Sequence, residues 1–224
     1  FACSFVANMK FSSAVVAAAT FFGFGSASFK FGSATTLDVT FSWEASNVTV
    51  CDQPTYVYEA GSFPLSMDKV VETSGYYTQN QPAVSWDATD KDQLYTLFML
   101  DPDAFYCGKG TKIHWMVMNT PGDDLTSGDA VNEFAHPGPP EMRHHRYVFL
   151  LHEQQATITL SDDERASLQE RVFFDYQGFT TTHELGTPVA QQAVDAQLDA
   201  YIVQYYGEGD YYCSFPDSCR LDQT

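Results

Sequence analysis

Four side chains that could together form an anion-binding site lie in or beside three apolar runs in the middle of the chain. Asp101 follows the first run, His114 lies in the second, and His145 and Tyr147 open the third. Imidazoles can donate hydrogen bonds to phosphate oxygens, and they add positive charge when protonated. A phosphate would be repelled by Asp101, so we expect this carboxylate to accept a hydrogen bond from an imidazole, to fix its orientation and to raise its pKa. The set predicts a small anion-binding site.

The loop before the third run is rich in proline and glycine, over residues 136–140. Pro139 and Pro140 would form a rigid wall that lacks a backbone donor. Arg146 follows His145 along a predicted strand, so it should point to the opposite face, where we expect a structural role in a pair with Asp103 or another acidic side chain. We expect the remaining histidines near this region to be exposed: His136, His144 and His152.

Two other kinds of site are alternatives to the anion site, a metal site and a catalytic site. Asp101, His114 and His145 could make a set of two histidines and one carboxylate for a metal, but the chain has no His-Glu-x-x-His spacing. It also has no Gly-x-Ser-x-Gly elbow and no cysteine in a catalytic context. We therefore expect no metal, no cofactor, no catalytic residue and no enzymatic activity.

Composition limits the partners. The 224 residues include 11 Lys and Arg against 29 Asp and Glu, a formal net charge of −18. Such a chain is repelled by phosphodiester backbones and anionic membrane surfaces, which argues against nucleic acid as a partner. The length fits one domain with a substantial core, and we expect a monomer. Beyond the N-terminal run, no apolar stretch is long enough to cross a membrane.

The N-terminal region has the layout of a secretory signal. A lysine is followed by an apolar run and then by small residues, which predicts a signal peptide over about residues 9–28. Residues 1–8 would be an extension before it, 29–208 the folded domain, and 209–224 a cysteine-containing tail. We therefore expect a secreted, extracellular protein.

Cysteine usage and one sequon agree with export. Without the leader the chain has four cysteines, which in an oxidising compartment should form two disulfides with three possible pairings: Cys51, Cys107, Cys213 and Cys219. Asn47 begins the sequon Asn-Val-Thr on a predicted surface strand, so it is a candidate for glycosylation.

Local patterns predict a chain that is mostly strands. Residues 37–50 alternate as two short strands that should pair with each other around a turn at 45–47, 52–83 read as loops with strand fragments, and 84–86 as a strand. Ser161 fits a capping box, Asp175 can cap a helix over 176–184, and 171–174 should be extended. The composition of residues 188–206 favours helix throughout.

The central stretch resembles the phosphatidylethanolamine-binding protein family over about residues 37–208. The matching motifs occur in the order and spacing of that family: residues 94–97, Asp-Pro-Asp-Ala at 101–104, His114-Trp115, Pro121-Gly122, Gly-Pro-Pro at 138–140, residues 145–150, Leu185-Gly186 and residues 188–190. Arg143 departs from the family, which often has a glycine there.

The resemblance implies a β-rich fold with a large central antiparallel sheet, a smaller sheet packed on it and peripheral helices. It implies a strand from Pro188 to about Val194 and a helix from near Asp195. It also implies a pocket for a phospholipid head group or another phosphate-type anion, with these ligand-binding residues: Asp101, His114, Pro139, Pro140, His145, Tyr147 and Tyr206. The alternative that it implies is a protein partner, as an inhibitor of a carboxypeptidase-type peptidase or as a signalling modulator.

Overall fold

A computed structural model describes residues 36–51, 54–65, 71–88, 90–104, 110–140 and 144–207 of the chain. These residues form eleven strands and three α-helices. The strands are β1 Leu37–Trp43, β2 Ser46–Val48, β3 Tyr56–Tyr58, β4 Gly61–Pro64, β5 Val71–Ser74, β6 Ala83–Trp86, β7 Leu94–Asp101, β8 Lys112–Pro121, β9 Asp129–Asn132, β10 His145–Gln154 and β11 Ala190–Gln197. The helices are α1 Asp162–Gln169, α2 Tyr176–Thr182 and α3 Ala200–Tyr206.

The three central apolar runs are β7, β8 and β10, and they lie side by side. The main sheet has six strands in the order β5-β11-β10-β7-β8-β9. Adjacent strands of this sheet are antiparallel, except for β5 and β11, which are parallel to each other. Because the central strands are buried on both faces, each is an almost continuous apolar run instead of an alternating one.

Two cores cover the two faces of this sheet. On one face a three-stranded sheet, in the order β4-β1-β6, packs its apolar side chains against alternate residues of β7, β8 and β10. On the other face the layer is formed by α1, α2 and the segments beside them, with Leu168, Phe174, Phe179 and Leu185 turned inward. The predicted architecture, a large sheet with a smaller sheet packed on it and peripheral helices, is confirmed.

β1 forms where it is predicted, but β2 occupies Ser46–Val48, on the residues predicted as the turn, and both strands pair differently from the prediction. β1 lies between β4 and β6, and β2 pairs with β3. The prediction that residues 37–50 form one antiparallel pair is therefore wrong. β1 buries Leu37, Val39 and Phe41 in the core between the two sheets, and this burial selects its partners.

In the C-terminal region, the end of the last strand and the start of the last helix differ from the prediction. β11 runs to Gln197, with every second side chain buried, and α3 begins at Ala200 instead of near Asp195. The helix starts there because the side chain of Asp199 accepts a hydrogen bond from the Ile202 amide. Sheet pairing thus overrides the helical preference of the Ala- and Gln-rich sequence.

The short helices begin where the capping residues predict. Ser161 accepts from the Glu164 amide at the start of α1, and Asp175 accepts from the Gly178 amide at the start of α2. α2 ends at Thr182, two residues before the predicted Glu184. Residues 171–174 are not extended, because Arg171 and Phe173 have left-handed backbones with φ of 66° and 54°.

Several predictions concern residues outside the described ranges: the signal peptide, the extension before it, the tail, Arg143, and the cysteines Cys107, Cys213 and Cys219. Cys51 is disulfide-bonded, and its pairing stays a prediction. Within the described residues, no helix has the length and apolar character needed to span a membrane.

Candidate anion-binding site

His114 reaches the site through a β-bulge. Met99 pairs with Trp115, and the next pair along the ladder is Leu100 with Ile113. His114 is the extra residue between these pairs, and an unpaired bulge residue is turned away from the regular alternation of its strand. The imidazole is 3% exposed.

The hydrogen bond expected between Asp101 and an imidazole is present. His145 Nδ1 donates to Asp101 Oδ2 at 2.8 Å, and both side chains are almost completely buried. A carboxylate behind an imidazole fixes the orientation of the ring and favours its charged form. The carboxylate of Asp101 therefore serves the histidine, and its Oδ1 accepts from the amide of Asp103.

Arg146 lies on the opposite face of β10 from this site, as predicted. Its Nε donates to Asp103 Oδ2 and its Nη2 donates to Asp103 Oδ1, each at 2.7 Å. Burial opposes the charge of Asp103, but the hydrogen bonds from Arg146 outweigh burial and lower the pKa of this carboxyl. The ion pair ties the turn after β7 to the start of β10.

Two tyrosines meet at Gly138 in the loop that precedes β10. The Gly138 amide donates to the Tyr147 hydroxyl at 3.2 Å, and the Tyr206 hydroxyl donates to the Gly138 carbonyl at 2.9 Å. The Tyr147 ring contacts the His114 ring edge-on, with centroids 4.9 Å apart. Tyr147 is buried, whereas Tyr206 is 43% exposed at the end of α3.

The structure thus brings His114 and Tyr147 into contact, places Asp101 and His145 in a hydrogen-bonded pair on the adjoining strands, and joins Tyr206 to Tyr147 through one glycine. In the loop, Pro139 is buried and Pro140 is exposed, so they differ in environment. The role of each of these residues in ligand binding stays a prediction.

Only one of the two ring nitrogens of His114 has a hydrogen-bond partner among the described residues. Nδ1 hydrogen-bonds the Ala135 carbonyl at 2.9 Å, while the buried Nε2 has no hydrogen-bond partner among the described residues. Burial, with smaller contributions from the charges of Lys112 and Arg171, lowers the pKa of His114 to about 4. The charge of Asp101 acts to raise this pKa, as expected of a neighbouring carboxylate, but burial and the two cations outweigh it, so His114 is neutral at pH 7.

Arg171 is a site residue that the sequence did not reveal. Its Nη1 donates to the His114 carbonyl at 3.1 Å and its Nη2 donates to the Glu133 carbonyl at 2.7 Å. Its own carbonyl accepts from the Ile113 amide. Arg171 therefore joins the bulge of β8 to the segment that carries Ala135. Its backbone is left-handed, in a stretch that the sequence predicts to be extended.

The other histidines differ in exposure. His144 is exposed and His136 is partly buried against Tyr205. His152 is completely buried, so the expectation that it is exposed is wrong. Its Nδ1 contacts the Leu185 carbonyl and its Nε2 contacts the Tyr176 hydroxyl, at 3.2 and 2.8 Å. Since α2 covers this end of β10, His152 is a satisfied core residue.

Within the described part of the chain, no group of three or more His, Cys, Asp or Glu side chains is arranged to hold a metal ion. Asp101 and His145 are occupied with each other, and His114 is fixed by a backbone carbonyl. The arrangement suits hydrogen bonding to a small polar ligand.

The fold agrees with comparisons to known proteins. Residues 57–202 match the profile described as "Phosphatidylethanolamine-binding protein". The chain belongs to the phosphatidylethanolamine-binding protein family.

Two curated relatives are a "26 kDa secreted antigen" of Toxocara canis and "Putative odorant-binding protein A5" of Drosophila melanogaster. The first is 38% identical over 50% of this chain, and the second is 30% identical over 54%. The aligned parts span 44% and 60% of those two relatives, less than two thirds of either.

Two solved structures are also similar. The solution structure of CG7054 is 26% identical, with a TM-score of 0.50, and the match covers 77% of this chain and 89% of that one. A carboxypeptidase Y inhibitor, solved with its cognate proteinase, is 19% identical with a TM-score of 0.49, over 60% of this chain and 78% of the inhibitor.

Proposed function

We propose that this protein is an exported, non-enzymatic binder of a small anion, a phosphate-type group such as a phospholipid head group. The observation that carries the proposal is the buried Nε2 of His114, which has no partner among the described residues. Leaving a buried polar group unsatisfied costs about 1–3 kcal/mol, and native proteins rarely do so. A ligand hydrogen-bonded at this nitrogen would remove the cost.

Local charge supports an anion over a cation. The whole chain carries −18, yet Lys112 and Arg171 act on His114 with positive charge. Asp101, the nearby carboxylate, is engaged by His145 and by the Asp103 amide. In an acidic protein, an anion site needs such local cations and shielding from the bulk field.

Export is supported by the layout of residues 9–28, by the even number of cysteines after them and by the sequon at Asn47, which lies on an exposed strand position. The name of the Toxocara canis relative, a secreted antigen, agrees with this proposal.

The binding proposal is tested by NMR of the histidine rings. Inorganic phosphate or phosphoethanolamine, added to millimolar concentration, should shift the resonances of His114 and His145. In His114→Ala, the ligand-induced shift of the His145 ring resonances should be at least tenfold smaller. His152→Ala serves as the control, because it removes an equally buried histidine outside the site. Ring resonances that do not move at millimolar ligand would refute the proposal.

A second function, inhibition of a carboxypeptidase-type peptidase or modulation of signalling, rests on the family resemblance alone. It is tested by adding the purified protein to a serine carboxypeptidase. Unchanged turnover at equimolar and higher ratios would eliminate that target.

A further inference from the structure

The hydrogen bonds behind His114 determine which kind of atom its free nitrogen can bind. A carbonyl oxygen can only accept, so Nδ1 carries the proton in its 2.9 Å contact with Ala135. In a neutral imidazole the second nitrogen then has a lone pair and no proton. Nε2 of neutral His114 is therefore an acceptor, and it needs a donor from the ligand.

The groups around His114 keep the ring neutral. Lys112 on its own strand and Arg171 on the turn after α1 disfavour a further positive charge, while Asp101 at the end of β7 opposes them. The Tyr147 ring on β10 lies nearly perpendicular to the imidazole and makes a T-shaped contact with it. The 3% exposure of His114 adds a desolvation cost to any charge, and burial is the largest cause of its lowered pKa.

Tyr147, next to His114, offers a hydrogen-bond donor. Its hydroxyl oxygen accepts from the Gly138 amide, and its own proton has no acceptor among the described residues. Burial, followed by the charge of Asp101, raises the pKa of Tyr147, so the hydroxyl stays protonated. The two rings are in contact, so the acceptor on His114 and the donor on Tyr147 belong to neighbouring side chains.

We propose that the site selects an oxyanion that carries its own proton: a phosphomonoester group in its monoanionic form. Its P–OH donates to His114 Nε2, and one of its unprotonated oxygens accepts from the Tyr147 hydroxyl. This inference rests on the proposed function and narrows it. A dianion would set a lone pair against the lone pair of Nε2, and a diester has no P–OH to donate.

The test compares methyl phosphate with dimethyl phosphate on the full chain, followed by the ring resonances of His114 and His145 between pH 5.5 and 8. The affinity for methyl phosphate should fall about tenfold per pH unit above pH 6, since phosphomonoesters lose their second proton near this pH. Dimethyl phosphate should bind at least tenfold more weakly at pH 5.5 and show no such fall.

Equal affinity for the two ligands would overturn the inference, as would binding of methyl phosphate that does not change with pH. The same holds for a ¹⁵N spectrum of the complex in which His114 is an imidazolium. If neither ligand moves the His114 or His145 resonances at millimolar concentration, the proposed function itself fails.

Substitutions at two buried histidines give a second, independent test of the preference for the monoester. His114→Phe keeps a ring in the same space but removes the acceptor, so the preference for the monoester should disappear. His152→Phe, made at the buried histidine outside the site, should retain it. A preference that survives His114→Phe would contradict the assignment, and the comparison on the unaltered chain decides the matter if His114→Phe does not fold.

Vesicles distinguish the source of the phosphomonoester. Phosphatidylcholine vesicles with phosphatidic acid carry a lipid monoester, and vesicles with phosphatidylglycerol carry a diester. Co-sedimentation with the first and not the second supports the inference with a lipid as the source. Binding of methyl phosphate without vesicle binding supports it with a soluble phosphomonoester. Preference for the phosphatidylglycerol vesicles would overturn it.

Discussion

His114 and His152 make the folded chain sensitive to mild acid. Burial lowers the pKa of each to about 4, whereas both titrate near 6.5 when unfolded. The unfolded chain therefore binds more protons between these values, so stability is complete above about pH 6.5 and is lost as the pH falls toward 4. Each histidine should cost about 3 kcal/mol at pH 4.

This dependence is measured by urea unfolding at pH 7, 6, 5 and 4. Carboxyl groups also titrate near pH 4, so the comparison is with His152→Phe. That variant should lose about half of the histidine contribution between pH 6.5 and 5. An identical pH profile for the variant and the unaltered chain would show that His152 is not buried as a neutral ring.

At the scale of residues, hydrogen-bonded and charged side-chain pairs were predicted better from the sequence than the burial of single side chains. A hydrogen bond from one of the two site imidazoles to Asp101 was expected from charge, and the structure selects His145; the face of Arg146 followed from strand alternation, and Asp103 was among its expected partners. The exposure of His152 was mispredicted because α2 covers it, through Tyr176, which is 24 residues further along the chain. The unpartnered Nε2 of His114 depends on a bulge, and a bulge leaves no signal in hydrophobic periodicity.

Among the elements, the turn after α1 holds the bulge of β8 in place through Arg171. Arg171→Met should lose the hydrogen bonds to the His114 and Glu133 carbonyls and lower the free energy of unfolding by about 1–3 kcal/mol. It should also shift the His114 ring resonances without any ligand. The measurement is urea unfolding combined with the NMR spectrum of the rings.

The control for that variant is Arg165→Met on α1. Arg165 pairs with Asp129, and both side chains are more than one third exposed. Such a surface pair contributes about 0–1 kcal/mol, so this variant should change little and leave His114 unmoved. Equal effects of the two substitutions would argue against a positioning role for Arg171.

Asp199 is the residue that docks α3. Its buried carboxylate accepts from the Ile202 and Tyr76 amides and from the Ser74 hydroxyl, which joins α3 to β5 and the turn after it. Asp199→Ala should lower the free energy of unfolding by about 2–4 kcal/mol, because it removes a helix cap and leaves buried donors unpaired. Asp199→Asn keeps an acceptor oxygen and should lose less, as measured by urea unfolding. Equal losses would contradict this account.

The type of an element was predictable where its own residue pattern is strong. Prediction failed where the neighbouring strands determine whether a segment is a strand or a helix. β7, β8 and β10 are long apolar runs, and the caps Ser161 and Asp175 are local. The Ala- and Gln-rich β11 would be helical by composition, and it is a strand because β10 lies beside it on one side and β5 on the other. β5 itself was not predicted, since four polar and apolar residues carry no clear period.

For the molecule as a whole, the disulfide at Cys51 should add to stability. Cys51 is partly buried against the cluster of Val48, Tyr58, Ile202 and other residues under α3. A disulfide typically contributes about 2–4 kcal/mol, so reduction should lower the thermal midpoint. Calorimetry with and without reductant measures this, and non-reducing peptide mapping identifies the pairing. An unchanged midpoint after complete reduction would contradict the expectation.

The parallel pairing of β5 with β11 has a consequence for synthesis on the ribosome. Ser74 and Asp199, which close this junction, are 125 residues apart. At about 5–20 residues per second, translation needs on the order of ten seconds between the emergence of the two segments. During that interval the nascent N-terminal half cannot complete its sheet, so chaperone protection matters most for this half, and a stop codon before β11 would yield an aggregating product.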